Sequence, residues 1–365
     1  MTKARSAPDP WILISTLSIL AIGVVMVYSA SAVLAFHDYG DYFYYLKRQL
    51  VFAALGIAAM YMAMNVDYWV LGKYAKIGLI VCFALLVVVL IPGVGVVRGG
   101  ARSWLGIGSL GIQPSEFMKL GLIVFLAKML SNDRYDITSF AKGLMPPLLL
   151  VGAAFGLIMM QPDLGTGAVL VGASLIVIYT AGAKLSHLAL LGLAGLAGFV
   201  ALIAAAPYRL QRIVAFLDPW QDPLGAGYQA IQSLYAIGPG GLVGLGLGMS
   251  RQKYSYLPEP QTDFIFSIIA EELGFIGGAT VLLLFALLVW RGMRTAITAP
   301  DMFGSLLAVG IVGMVAVQVI INIGVVIGLL PVTGITLPLV SAGGSSLTLM
   351  LTAIGVLLNI SRYAR

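Results

Sequence analysis

Asp263 stands where a polar stretch, Gln261-Thr262, gives way abruptly to Phe264-Ile265-Phe266 in a chain that is mostly apolar. A carboxylate at such a boundary is desolvated, which raises its pKa toward the range useful for proton transfer near neutral pH. General-base chemistry is one reading. Capping of the helix that follows is the other, because Asp is a preferred N-cap residue. Glu271 and Glu272 lie about two turns further along the same apolar stretch. Both facing lipid would be untenable, so one is expected to face the interior.

Three further groups have the residue types for chemistry. Arg98, Arg102 and Trp104 precede Gln113-Pro114-Ser115-Glu116-Phe117-Met118-Lys119. Pro114 and Ser115 suit a helix start. Glu116 and Lys119, three apart, share one helical face and can pair. That pair is either inert or, with the nearby arginines, part of a site for a phosphate-bearing group. Asp163, in Gln161-Pro162-Asp163-Leu164-Gly165-Thr166, caps the next helix, binds a cation with Glu116, or orients an arginine. Pro331 to Pro338 and Ser341 to Ser346 read as a re-entrant loop of small and polar residues, which is tolerated at membrane depth where it lines a cavity.

The segment 207–263 reads as the largest loop. Arg209 and Arg212 sit in a stretch, Pro207 to Leu217, that resembles an interfacial amphipathic helix, the alternative being a solvated loop helix. Gly225 to Ile237 suits a second short helix. Gly238, Gly240, Gly241, Gly244, Gly246 and Gly248 either cradle phosphate through backbone N–H groups or make a flexible loop. His37 and His187 form no metal cluster, and the chain has no P-loop, which argues against a nucleotide-driven pump.

The elements that position these residues follow from composition. Of 365 residues, 60% are hydrophobic and 10% charged, against roughly 25% charged in soluble domains. Mean hydropathy is +1.00. Apolar runs of about 20 residues recur along the whole length, continuous rather than alternating, so the bilayer-compatible choice is helices. The expected fold is an all-α polytopic membrane protein with ten spans, near 11–35, 50–66, 75–92, 114–131, 144–161, 165–182, 187–206, 264–290, 303–330 and 345–360. The stretch after Trp11 is too long for a signal-peptide core and reads as an uncleaved first span. A Lys and Arg excess, modest in size, falls on the side of Lys3, Arg5, Lys73, Lys76 and Arg291. That side is expected to be cytoplasmic, with both termini there and the chemistry-bearing groups on the outer side. The net charge of +6 is spread among loops, with no dense basic block to suggest nucleic acid. Cys82 is the only cysteine, so no internal disulfide forms. Gly and Pro punctuation gathers in outer loops rather than in matching halves, which disfavours a repeat-built transporter.

Lys47-Arg48-Gln49, Gln113-Pro114-Ser115-Glu116, Gln161-Pro162-Asp163-Leu164-Gly165-Thr166, Leu257-Pro258-Glu259, Thr262-Asp263-Phe264-Ile265-Phe266, Glu271-Glu272-Leu273-Gly274 and Gly343-Gly344-Ser345-Ser346 together resemble the SEDS family (shape, elongation, division and sporulation). The resemblance covers nearly the whole chain and is nearer to the FtsW/SpoVE branch than to RodA. Gln261 stands where many members of the family have His.

The resemblance implies a single SEDS-type membrane domain over 1–365, with the loop 207–263 carrying part of the active site. It implies a peptidoglycan glycosyltransferase that polymerises lipid II at the outer leaflet of the bacterial cell membrane, for septum or spore-cortex synthesis. Its implied partner is a class B penicillin-binding protein. Asp263 matches the aspartate required for catalysis. Arg98, Arg102, Arg209 and Arg212 are expected near the departing pyrophosphate, and Trp104, Lys119 and Ser345 on the substrate side. Glu116 and Asp163 are expected to hold a divalent cation, Mg²⁺ or Mn²⁺. A lipid II flippase, or a non-enzymatic scaffold for division or sporulation, is the competing reading.

Overall fold

Continuous apolar runs satisfy their backbone groups internally, and they fold here as helices. The computed structural model describes residues 6–98, 101–107, 110–204, 216–225, 227–254 and 256–364. Three helices open the chain: α1 (Pro10–Tyr39), α2 (Tyr44–Asn65) and α3 (Tyr68–Leu90). A small sheet follows, built from β1 (Val96–Arg98), β2 (Ala101–Ile107) and β3 (Leu110–Ile112). Then come α4 (Pro114–Leu130), α5 (Met145–Met159), α6 (Leu164–Thr180), α7 (Leu185–Ala204) and the short α8 (Tyr228–Ile237). The last three are α9 (Ile265–Ile297), α10 (Met302–Val326) and α11 (Gly344–Ser361).

All of these helices except α8 overlap the apolar stretches of the sequence one for one. Among the described residues, seven helical stretches are long and apolar enough to cross a bilayer: α1, α2, α3, Phe140–Met159 ending in α5, α9, α10 and α11. α6 is a shorter apolar helix. α2 and α3 start about two turns before the apolar runs expected from 50 and 75. Their first turns hold Tyr44, Tyr45, Tyr68 and Trp69, residues at home at a membrane interface. The stretch between α3 and α4 holds an antiparallel sheet in the order β1-β2-β3, with Leu105 opposite Ile112. Gly225 to Ile237 does contain the short helix α8, beginning at Tyr228. The amphipathic segment expected at 207–217 falls almost wholly outside the described residues.

α10 and α11 form the axis of the bundle: 72% and 78% of their most apolar windows are buried, against 22% for α2. Small residues let helices approach closely there. A Cβ on Gly355 of α11 would lie 2.4 Å from Met60 O of α2. At one end of the bundle the two terminal segments meet: Ser6 N donates to Arg362 O at 2.9 Å, and Arg291 pairs with Asp9. At the other end the N-termini of α4, α6, α9 and α11 gather, and this end holds the candidate site.

Candidate active site

Asp263 lies one residue before the N-cap of α9, which is Phe264, and no side chain caps that helix. The capping reading is therefore not its role. Among the described residues no hydrogen bond or ion pair holds its carboxylate, and the residue is half-buried. The wall opposite is Gly334, where an added Cβ would sit 3.6 Å from Asp263 Oδ2. Burial pushes the Asp263 carboxyl up to about 7, with the negative charges of Glu259 and Asp163 adding to the shift. An unpartnered carboxylate in that range can accept a proton at neutral pH.

The turn before Asp263 is built to hold Glu259 close. Glu259 adopts φ 49°, a region costly for a residue with a Cβ. Its Oε2 accepts from Gln261 Nε2 at 3.2 Å and Thr262 Oγ1 at 3.3 Å. Gln261, at the position where the family often has His, is buried at 3% exposure and its backbone carbonyl accepts from Ala342 N at 2.8 Å.

A second wall comes from α4, α6 and α11. Asp163 caps α6, its Oδ1 accepting from Thr166 N at 3.0 Å. Its Oδ2 accepts from Gln113 Nε2 at 2.9 Å, and Gln113 N donates to Ser345 Oγ at 3.3 Å. Asp163 stands above the usual carboxylate range, through burial first. Its bonds to Thr166 pull the other way, while Glu116 pushes it up and Lys119 down. Glu116 and Lys119 pair at 2.8 Å, both almost fully buried. Lys119 Nζ also donates to Gln318 Oε1 at 3.1 Å. Asp263, Asp163, Glu116, Lys119 and Ser345 thus belong to one neighbourhood. Among the described residues, no three His, Cys, Asp or Glu side chains gather at metal-ligand spacing.

Two residues of α10 escaped the sequence reading. Asn322 Nδ2 donates to Asp263 O at 2.8 Å and to Ile335 O at 2.7 Å. Gln318 Nε2 donates to Thr336 O at 3.0 Å. The available signal was an amide pair four residues apart inside a run of mean hydropathy 2.5. Buried polar groups in a membrane span mark sites. The segment 331–343, expected as a re-entrant loop, is irregular and is further tied by Ser341 Oγ to Thr262 O at 2.6 Å.

Glu271 and Glu272 both face inward, where only one was expected to. Glu272 accepts from Ser29 Oγ at 2.6 Å, Gly248 N at 3.0 Å, Ser250 N at 3.2 Å and Lys253 Nζ at 3.1 Å. Glu271 accepts from Ser250 Oγ at 2.6 Å and Arg251 N at 2.8 Å. α9 breaks at Gly274 (φ 65°, ψ −163°), and the glycine-rich segment fills the break. Leu245 N donates to Glu271 O at 2.9 Å, and Phe275 N donates to Gly241 O at 2.9 Å. A Cβ on Gly244 would lie 2.2 Å from Glu272 O, so a bare backbone is needed there. These glycines serve a close approach to a helix, and the N–H groups of Gly244, Gly246 and Gly248 are already bonded.

Arg102 and Trp104 lie on β2. Among the described residues Arg102 makes no ion pair, and its stem packs over Gly95, where an added Cβ would be 2.8 Å from Arg102 Cγ. Arg98 pairs through its backbone with Ala101, and its side chain lies outside the described residues, as do Arg209 and Arg212 entirely. A cavity of about 720 Å³ opens beside the site, lined by Trp220, Tyr228, Gln229, Pro258 and Val332 among others. Pro258 and Val332 lead directly into the two segments that flank Asp263.

The chain as a whole has counterparts among known proteins. The family described as "Cell cycle protein", FtsW/RodA/SpoVE, matches residues 10–365. "Stage V sporulation protein E" of Bacillus subtilis (strain 168) is 61% identical over 365 residues, covering 100% of both chains. "Probable peptidoglycan glycosyltransferase FtsW" of Trichlorobacter lovleyi is 43% identical over 97% of this chain and 93% of the relative. A solved chain from "Structural coordination of polymerization and crosslinking by a peptidoglycan synthase complex" superposes with TM-score 0.82 at 35% identity, covering 98% of each chain. The rod shape determining protein RodA of Thermus thermophilus superposes with TM-score 0.72 at 32% identity, covering 98% of this chain and 97% of RodA. Matched by the family model over residues 10–365 and by relatives 43–61% identical over nearly its whole length, the chain belongs to the FtsW/RodA/SpoVE family.

Proposed function

We infer that this chain is a peptidoglycan glycosyltransferase that polymerises lipid II into glycan strands. The observation that carries the site assignment is the Asp263 carboxylate, desolvated and without a partner among the described residues. In the reaction, an acceptor sugar hydroxyl attacks the anomeric carbon of the donor. The new C–O bond forms as the bond to pyrophosphate breaks, and the pyrophosphate leaves with the electron pair. Asp263 takes the hydroxyl proton.

The departing charge needs offsetting. Support comes from the N-termini of α4, α9 and α11, none of which has a side-chain cap. Their free N–H groups and helix dipoles favour an anion. Arg102 is the described arginine proposed for this task, with Arg98, Arg209 and Arg212 as further candidates and Trp104, Lys119 and Ser345 lining the substrate side. A divalent cation, Mg²⁺ or Mn²⁺, also fits. Asp163 and Glu116 are its proposed ligands, close enough that Glu116 acts on the Asp163 charge, and Mg²⁺ typically takes one or two carboxylates plus substrate phosphates. Glu116 is the weaker ligand of the proposed set, because its Oε1 is engaged by Lys119. When bound, the cation would neutralise charge on the pyrophosphate.

We place the site on the outer face of the bacterial cell membrane and both termini in the cytoplasm. The charge distribution supports this, as does the meeting of the terminal segments at the end opposite Asp263. A class B penicillin-binding protein is the proposed partner, in keeping with the synthase complex among the solved neighbours. The likeness to a stage V sporulation protein favours spore-cortex synthesis over septation. The buried charges that would suit a flippase, Glu116, Lys119, Glu271 and Glu272, are all held by partners.

The test is a polymerisation assay with purified protein, its transpeptidase partner and lipid II in detergent. Glycan polymer is expected, activity is expected to stop reversibly in EDTA, and Arg102→Lys is expected to weaken donor use although charge is kept. No polymer would return the flippase reading. Full activity in EDTA would remove the cation, and unchanged kinetics of the Lys variant would remove Arg102 from the site.

A further inference from the structure

Asp263 has a free carboxylate, yet its position is not free. Its backbone carbonyl accepts from Asn322 Nδ2 at 2.8 Å, and the second hydrogen of the same amide goes to Ile335 O at 2.7 Å. Ile335 follows Gly334, the residue that faces Asp263 Oδ2. One amide therefore spans both sides of the carboxylate's setting. One turn away on α10, Gln318 repeats the device. It donates to Thr336 O at 3.0 Å and accepts from Lys119, so that the facing segment is also tied to α4.

The carrier of these amides is a buried helix. α10 lies on the bundle axis, and Asn322 is 1% exposed. The segments it holds, 259–263 and 331–343, have no regular hydrogen-bonding ladder of their own. Among the described residues Asn322 Oδ1 has no partner, so the side chain acts wholly as a donor to two carbonyls. A reacting group misplaced by about 1 Å can lose on the order of a hundredfold in rate, so anchoring of this kind bears directly on turnover.

We propose that Asn322 is a positioning residue for the glycosyl transfer, fixing the backbone of Asp263 and the opposing 334–336 segment to one rigid helix. This rests on Asp263 being the base. A purely structural role is the competing explanation, and the molecule supplies its own control. Asn359, on α11 near the opposite end, makes an equivalent buried bridge: its Nδ2 donates to Met64 O at 2.8 Å and its Oδ1 accepts from Tyr68 N at 2.9 Å.

The experiment compares Asn322→Ala, Asn359→Ala and Asp263→Asn in lipid II polymerisation with the transpeptidase partner, with thermal stability in detergent measured on each. Asn322→Ala is expected to lower kcat roughly tenfold to a hundredfold with KM for lipid II little changed. Its acid limb should move to lower pH, because a loosened Asp263 regains water. Asn359→Ala is expected to lose comparable thermal stability with kcat near wild type. Should Asn322→Ala not fold, Asn322→Ser keeps one donor in a smaller side chain and takes its place. Wild-type kcat and pH profile in the folded Asn322 variant, or an equal kcat loss in Asn359→Ala, would overturn the proposal while leaving Asp263 in place. Activity in Asp263→Asn would instead remove the base itself.

Discussion

Asp263 and Glu272 are nine residues apart, on either side of the start of α9, and they live under opposite rules. Glu272 is fully buried and accepts from Ser29, Gly248, Ser250 and Lys253. Asp263 is half-buried and, among the described residues, has no partner for its carboxylate. A saturated carboxylate has no lone pair to spare and serves as a fastener. It holds the glycine-rich segment into the break of α9. A carboxylate deprived of donors keeps its basicity and serves chemistry. The same residue class thus divides into structure and function by hydrogen-bond supply, and the carboxylate left without donors is the less buried of the two.

The sharpest break of that contrast is Asp263→Asn. The amide keeps the shape but cannot take the proton. Polymerisation is expected to fall at least about a hundredfold, the low end for loss of a general base. The same variant should not lose stability. The raised pKa of Asp263, about 7 against roughly 3.9 in an unfolded chain, means that the folded state holds the proton more tightly. That contribution to stability is lost as pH rises from about 4 to about 7. Melting curves of wild type and variant should therefore diverge in the variant's favour toward alkaline pH. A destabilised Asn variant at pH 8 would show that the carboxylate is structural after all.

Glu272→Ala should do the reverse. It leaves Lys253 buried and unpaired, and breaking such a pair costs roughly 3–5 kcal/mol. Folded yield in detergent should fall, with residual activity tracking the folded fraction. A stable, folded Glu272→Ala protein with no activity would place this residue in the chemistry and collapse the comparison.

Much of this was legible in the sequence, and the limits have physical causes. Asp263 announced itself through an abrupt polar-to-apolar step, and the Glu116–Lys119 pair through helical spacing. Both are local patterns. Gln318 and Asn322 have no local pattern. Their meaning depends on segment 331–343 folding back onto α10, and on Asp263 arriving from a different loop. The partners of Glu271 and Glu272 were hidden for the same reason, since Ser29 comes from α1 and the other donors from an irregular loop. The small sheet was missed because two of its three strands have only three residues, too short to show alternation.

A smaller effect sharpens the contrast from within the site. Glu259 is the leading charge acting on Asp263 after burial. Glu259→Gln removes that charge and can retain bonds to Gln261 and Thr262. The acid limb of the pH–rate profile is expected to shift to lower pH with little change in the plateau rate. An unmoved limb would mean that the Glu259 charge has no part in setting the Asp263 pKa.

The most direct measurement is the pH dependence of kcat for wild-type polymerisation of lipid II at saturating substrate. A base that must be ionised is idle when protonated, so kcat should rise with pH along one limb whose apparent pKa lies near about 7, then level off. A rate that is flat from pH 5 to pH 9, or a limb near the ordinary aspartate value of about 3.9, would contradict a desolvated Asp263 acting as the base.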